Sequence, residues 1–233
     1  MRLAELQQLL VELRDVGFVP TERSGPTGVG HTLESWLGVS ENNLPIPDIG
    51  GRVEIKATRA GATNLITLFT FNRAVWTEPM ADTISRWGYE DDDGRPSLYS
   101  TVTATGLNPQ GLQIHVADDG QSLWIQHAQS GDTLATWDMY EIVGKFMSKF
   151  ERLLFVLADT RQGDDGEEFH FTSASLLSEP KSAQFRESFL AGHCMIDIRA
   201  HVQPNGTARN HGTGFRVNEQ DLPHLFSQSR TMI

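Results

Sequence analysis

The sequence has 233 residues, 39% apolar and 21% charged, with a formal net charge of −11 at pH 7. That length can bury a sizeable core, but no apolar run approaches the roughly 18 residues that a membrane-spanning helix needs. Cys194 is the single cysteine, which excludes internal disulfides and multi-cysteine zinc sites and suits a reducing, cytoplasmic compartment; the net acidity argues against non-specific coating of nucleic acid.

Leu3, Leu6, Leu9, Leu10 and Leu13 recur at helical spacing between Glu5, Glu12 and Asp15, which predicts an amphipathic first helix and not a signal peptide. A glycine-rich loop is expected over 24–30, then a short helix over 32–38 closed by Gly38. Residues 42–48 hold too much proline for regular structure, and Ile49-Gly50-Gly51 supplies a turn before a half-buried strand over 52–57. The run 65–71 predicts a more buried neighbouring strand, followed by a helix over 80–87 and an acidic loop over 90–94. Strands are expected over 97–103, 112–116, 123–127 and 133–137, then a helix over 139–150 and a central strand over 153–158. A strand over 169–176, a helix over 183–190 and two strands over 195–202 and 214–217 complete the chain, the last two separated by the turn-rich segment 203–207. With no internal repeat and no linker, one compact mixed α/β (α+β) domain over 1–233 is the expected organisation.

The chemistry concentrates at Pro47-Asp48-Ile49-Gly50-Gly51-Arg52-Val53-Glu54-Ile55-Lys56. Glu54 and Lys56 lie two apart on a strand and project from one face. The glycine turn can return Asp48 to the same place, and two carboxylates with a strand carbonyl such as that of Ile55 are the hard oxygen ligands that Mg²⁺ prefers. Phosphodiester hydrolysis needs such equipment, a cation to neutralise developing charge and a held water to attack. By itself the D-x₅-E-x-K spacing is weak, because Glu-x-Lys pairs are common on solvated strand faces.

Two stretches are locally basic in this acidic chain. Between Asp48 and Glu78 the only carboxylate is Glu54, beside Arg52, Lys56, Arg59 and Arg73; between Asp197 and Glu219 there is none, beside Arg199, Arg209 and Arg216. Arginine suits the guanine O6/N7 pair, asparagine suits adenine, and histidine donates or accepts. Arg199, His201, Asn205, Arg209, Asn210, His211 and Arg216 are therefore candidates for reading base edges, against the plainer alternative of a solvated hairpin. Asp91-Asp92-Asp93-Gly94 fails the spacing of a calcium loop, the histidines at 115, 127, 170, 193 and 224 show no metal-ligand spacing, and Cys194 suits an apolar strand start better than a nucleophile.

Gly28-x-Gly30-x-Thr32-Leu33-Glu34 with Leu37-Gly38, then Pro47-Asp48 and Glu54-Ile55-Lys56, resembles the signature of the MutH-like branch of PD-(D/E)xK nucleases. Within it the chain is most similar to the MvaI/BcnI family of type II restriction endonucleases, through residues 41–48, 68–72, 94–99 and 205–216. The resemblance implies a restriction-endonuclease-like fold, a central mixed sheet flanked by helices with two lobes around a DNA-binding cleft. It implies a catalytic segment over about 25–75 and a DNA-recognition segment over about 195–218. In it Asp48, Glu54 and the Ile55 carbonyl hold Mg²⁺, with Ca²⁺ as a non-productive substitute, Lys56 assists the water, and Glu34 supports the site. Arg59 and Arg73 join the DNA-binding candidates.

The function so implied is site-specific cleavage of double-stranded DNA at a short pseudo-palindromic sequence of CC-x-GG type. It would belong to a monomer of a prokaryotic cytoplasm that cuts the strands one after the other, with a cognate DNA methyltransferase in the same system and no membrane partner. The alternatives are a MutH-like strand-nicking repair endonuclease and a nuclease-fold DNA-binding module without catalysis.

Overall fold

The computed structural model describes residues 2–39, 46–61, 65–71 and 75–233. In chain order the helices are α1 (Leu3–Val16), α2 (Gly28–Trp36), α3 (Met80–Trp87), α4 (Met139–Lys149) and α5 (Ser182–Leu190). The strands are β1 (Val19–Pro20), β2 (Glu54–Arg59), β3 (Leu65–Phe71), β4 (Tyr89–Glu90), β5 (Pro96–Val102), β6 (Leu112–Val116), β7 (Ser122–His127), β8 (Thr133–Asp138), β9 (Arg152–Gly163), β10 (Gly166–Pro180), β11 (Cys194–Val202), β12 (Ala208–Asn210), β13 (Thr213–Asn218) and β14 (Phe226–Thr231). A 3₁₀ helix spans Glu219–Leu225. No described helix is long and apolar enough to cross a membrane.

The chain divides into two compact units. The first takes Met1–Asn64, Met147–Lys181 and Leu222–Ile233. Its sheet runs β1-β10-β9-β2, with β14 also paired to β10. The β9–β10 pair is an antiparallel hairpin, while β2 lies parallel to β9 with Glu54 opposite Leu153. Leucines 6, 10 and 13 of α1, Val29 and Leu33 of α2, and Ile55, Leu154, Val156, Phe169 and Phe171 of the strands share one buried core. Helix α2 packs on β2, and its start corrects the expected loop over 24–30. Gly28 already lies in the helix, where a Cβ would collide with the Arg23 carbonyl oxygen, so a glycine permits the close approach.

The second unit takes Leu65–Phe146 and Ser182–Asp221. Its larger sheet runs β3-β13-β11-β5-β4 with β12 paired to β11, and a smaller one runs β6-β7-β8. One face of the larger sheet is apolar. Phe69 and Phe215 stack at 5.1 Å between centroids, and Phe185, stacked on Phe146 at 4.2 Å, meets Phe189 edge-on. On β11 the buried Ile196, Ile198 and Ala200 turn to that core, which leaves Asp197, Arg199 and His201 on the opposite face. Burial pushes the Cys194 thiol up to about 12, so it stays protonated and unreactive.

Candidate active site

The turn before β2 is tight. The Arg52 N–H donates to the Ile49 carbonyl at 3.1 Å, and Gly50 and Gly51 have φ of 59° and 68°, a left-handed pair that favours glycine. Ile49 and Val53 pair across it, which carries Asp48 back alongside β2. There the Ile55 N–H donates to Asp48 Oδ2 at 2.8 Å. A strand residue sends its N–H and C=O to the same side, so the Ile55 carbonyl also faces this edge, away from β9. The Asp48 carboxylate and the Ile55 carbonyl thus meet beside an edge strand.

Glu54 lies on that strand with 2% of its surface exposed. Lys56 Nζ donates to Glu54 Oε1 at 2.5 Å, as the two-residue spacing predicts. A second ammonium meets the same oxygen: Lys149 Nζ, from the end of α4, lies 3.1 Å from Oε1. Sequence reasoning missed Lys149, which carries no motif and reaches Glu54 only because β9 starts beside β2. Glu34 sits half-buried on α2, the helix that packs on β2.

No group of three or more His, Cys, Asp or Glu side chains able to hold a metal occurs among the described residues. A cation at this edge would therefore take two carboxylates, a backbone carbonyl and waters. That donor set fits Mg²⁺, which keeps several waters and binds through one or two carboxylates.

Arg59, on the same strand, is committed elsewhere. Its guanidinium binds Glu167 through two hydrogen bonds at 2.7 and 2.6 Å and donates to the Pro26 and Gly25 carbonyls at 3.3 and 3.2 Å. This pairing raises the Arg59 pKa and lowers that of Glu167. Arg73 lies outside the described residues.

A second polar group occupies the other face of the larger sheet of unit two, where Asp197 and His201 are buried and Arg199 and Arg216 half-buried. Across antiparallel strands, opposed residues share a face. Tyr99 opposes Arg199, Thr101 opposes Asp197, and Arg209 opposes His201. Arg216 opposes Met195 and joins the same row. Asp197 anchors it: Thr101 Oγ1 donates to Oδ1 at 3.0 Å, Arg216 Nη1 lies 3.1 Å from Oδ2, and Arg199 Nε lies 3.7 Å away. Arg216 Nε also donates to Thr67 Oγ1 at 2.9 Å. Among the described residues the buried Arg199 Nε has no hydrogen-bond partner. His201 Nδ1 is hydrogen-bonded to the Tyr99 hydroxyl at 2.8 Å, and the His211 ring lies 5.3 Å from that of His201. Burial first, then the charges of Arg209, His201, Arg199 and Arg95, hold the His211 imidazole below the ordinary histidine range.

The asparagines behave differently. Asn205 Oδ1 accepts from the Thr207 N–H and hydroxyl at 3.0 and 2.7 Å, as an Asx turn does, and Asn210 Oδ1 accepts the Gly212 N–H at 2.8 Å. Their acceptors shape the loop. Sequence reasoning treated Asp197 only as the border of a carboxylate-free run and left Tyr99 out; the two-residue alternation Asp197, Arg199, His201 was the available signal.

The acidic turn has an internal explanation. Asp91 accepts from Arg95 and from the Ser97 hydroxyl at 2.7 Å. The Arg95 backbone N–H, foremost among these donors, holds its carboxyl well below the usual range, and the turn closes on protein partners.

The fold defines a class. It matches a solved complex of restriction endonuclease MvaI with its cognate DNA substrate at a TM-score of 0.82, covering 99% of this chain and 98% of that one at 24% identity. MvaI solved in the absence of DNA matches at a TM-score of 0.56 and 25% identity, over 98% and 96% of the two chains. The architecture is thus restriction-endonuclease-like. No curated protein sequence matches, but the sequence model of the MvaI/BcnI restriction endonuclease family matches residues 7–226. The chain belongs to the MvaI/BcnI restriction endonuclease family.

Proposed function

We propose that this protein is a type II enzyme that hydrolyses double-stranded DNA with Mg²⁺ at a short pseudo-palindromic site of CC-x-GG type. The observation that carries the reading is the β2 edge, where the carboxylate of Asp48 is fastened to the Ile55 N–H beside the buried Glu54 and its Lys56 partner. Asp48, Glu54 and the Ile55 carbonyl would hold the cation. Bound there, it would offset charge developing on the phosphate oxygens and acidify a water at the site. Asp48 and Glu54 fix the place, since one is tied to backbone and the other is buried. Lys56, a compact ammonium held by Glu54, is placed to orient the attacking water and to take up the negative charge that grows as it attacks. Glu34 supports the site from α2.

Sequence reading belongs to the polar face of the larger sheet of unit two. Arg199, Arg209, Arg216 and His211 carry donors suited to guanine-rich base edges, with the buried His201 behind them. The MvaI structure at 24% identity is described as bound to cognate DNA, in keeping with a DNA duplex as substrate here. The enzyme would act as a monomer, cut the two strands in turn, and be accompanied by a methyltransferase that protects the host site.

Genomic DNA incubated with the purified protein and Mg²⁺ tests this, by sequencing the fragment ends. Ends converging on one CC-x-GG-type sequence, and plasmid linearised by this protein without an activating partner, are expected. Single-strand nicks that need an activating partner would favour the MutH-like reading, and no cleavage at all would reduce the protein to a binding module.

A further inference from the structure

We propose that Lys149 is a further catalytic residue of the β2 edge. In the metal-free protein it is a counter-ion of Glu54 that a cation must displace, and once displaced its ammonium is available to the phosphate being cut. The inference rests on the nuclease reading above.

Glu54 is 2% exposed, and one oxygen, Oε1, receives both Lys56 at 2.5 Å and Lys149 at 3.1 Å. A single carboxylate needs one ammonium for neutrality. Two held against the same oxygen repel each other, and beside the buried Glu54 carboxylate that repulsion is less screened than in bulk water. Glu54, Lys56 and Lys149 together carry a charge of about +1, and Asp48 brings the four groups to about neutral. A divalent cation added to them raises the sum to about +2, suited to a phosphodiester that gains negative charge as it is attacked.

The two lysines come from different parts of the chain. Lys56 is fixed on the strand that carries Glu54, whereas Lys149 ends α4, where the partial negative charge of the last helical carbonyls also favours an ammonium. Lys149 can therefore leave Glu54 without disturbing β2. With 27% of its side chain exposed, it keeps a route to an incoming anion.

Two properties then move in opposite directions when Lys149 is removed. Calorimetric titration of the DNA-free protein with Ca²⁺ and with Mg²⁺ alone reads the first: Lys149→Met should bind each cation about tenfold more tightly than wild type, because a competing positive charge is gone. Lys149→Arg, which keeps the charge, should stay near wild type. Cleavage of supercoiled plasmid at saturating Mg²⁺ reads the second, and should be at least tenfold slower for Lys149→Met. A residue that merely supports the fold would weaken both. Lys149→Gln serves where Lys149→Met does not fold, with the same expectation. Unchanged or weaker metal binding by the charge-removing variant overturns the proposal. If wild type binds Ca²⁺ or Mg²⁺ and Glu54→Ala does not, that failure leaves the metal site standing and removes only the role of Lys149. If wild type binds neither cation, the nuclease reading and this inference fall together.

Discussion

The β2 edge and the polar face of the larger sheet of unit two hold their charges in different ways. At the edge, Glu54 is 2% exposed and takes two lysines on one oxygen, while Asp48 is bound to a backbone N–H. On the sheet face, Arg199, His201, Arg209 and Arg216 spread over three strands around Asp197. A concentrated arrangement suits a single bond-breaking event, because each group acts on the same few atoms. A dispersed one suits recognition, where each side chain meets a different base edge. Loss of one group should therefore be drastic in the first region and graded in the second.

The largest effect is expected at the edge. Asp48→Ala or Glu54→Ala should lower the rate of plasmid linearisation in Mg²⁺ by at least about 10³-fold, as each would remove a proposed cation ligand and not a phosphate-binding charge. Circular dichroism should show the fold retained. Near wild-type cleavage by either variant would move the active site elsewhere.

Next comes Lys56. Alanine should slow cleavage by roughly 10²- to 10⁴-fold, and arginine should rescue poorly, since a planar fork does not replace a compact ammonium. Glu34→Ala should be milder. Equal losses at both positions would bring Glu34 into direct contact with the reacting groups and blur the boundary of the edge.

On the sheet face the effect falls to a smaller scale. Arg199→Ala, Arg209→Ala or Arg216→Ala should each reduce discrimination between the cognate site and a one-base variant by about 1–3 kcal/mol. Cleavage at the cognate site by such variants in single-turnover conditions should fall less than in the Lys56 variant. A uniform loss across sequences would mean that the arginine grips phosphates only.

The smallest effect concerns Arg59, which the structure pairs with Glu167 through two hydrogen bonds. Arg59→Ala should cost about 1 kcal/mol of stability. The guanidinium lowers the Glu167 pKa, so the pair stabilises the fold fully above the usual carboxylate range and loses that contribution as pH falls through the depressed value. Thermal melts of wild type and variant should converge on acidification. If Arg59→Ala instead leaves the melt unchanged and weakens binding to every duplex, the guanidinium leaves Glu167 for DNA.

Much of this contrast was legible in the sequence, unevenly. The two-residue spacing of Glu54 and Lys56 and the glycine pair before them led directly to the observed edge, and α3 falls over Met80–Trp87 as its periodicity predicts. The hairpin β9–β10 runs well past the expected 153–158 and 169–176 because its outer half, through Asp159, Arg161 and Glu168, is held by ladder hydrogen bonds and not by apolar burial. β14 was invisible for the same reason: only Phe226 of its residues is buried, and its pairing with β10 supplies the order. Lys149 left no trace, since its partner lies on a strand distant in the chain. Hydrophobic pattern reports burial, whereas edge pairing and long-range ion pairs leave no local period.

The separation of the two regions is tested most directly by competition binding in Ca²⁺, with Glu54→Ala and Arg216→Ala measured against a duplex carrying the mapped cleavage site and one altered by a single base pair. Glu54→Ala should keep most of the wild-type preference for the cognate duplex, while Arg216→Ala loses about 1–3 kcal/mol of it. The reverse, a preference lost with Glu54 and kept without Arg216, would contradict the division of labour between the β2 edge and the sheet face.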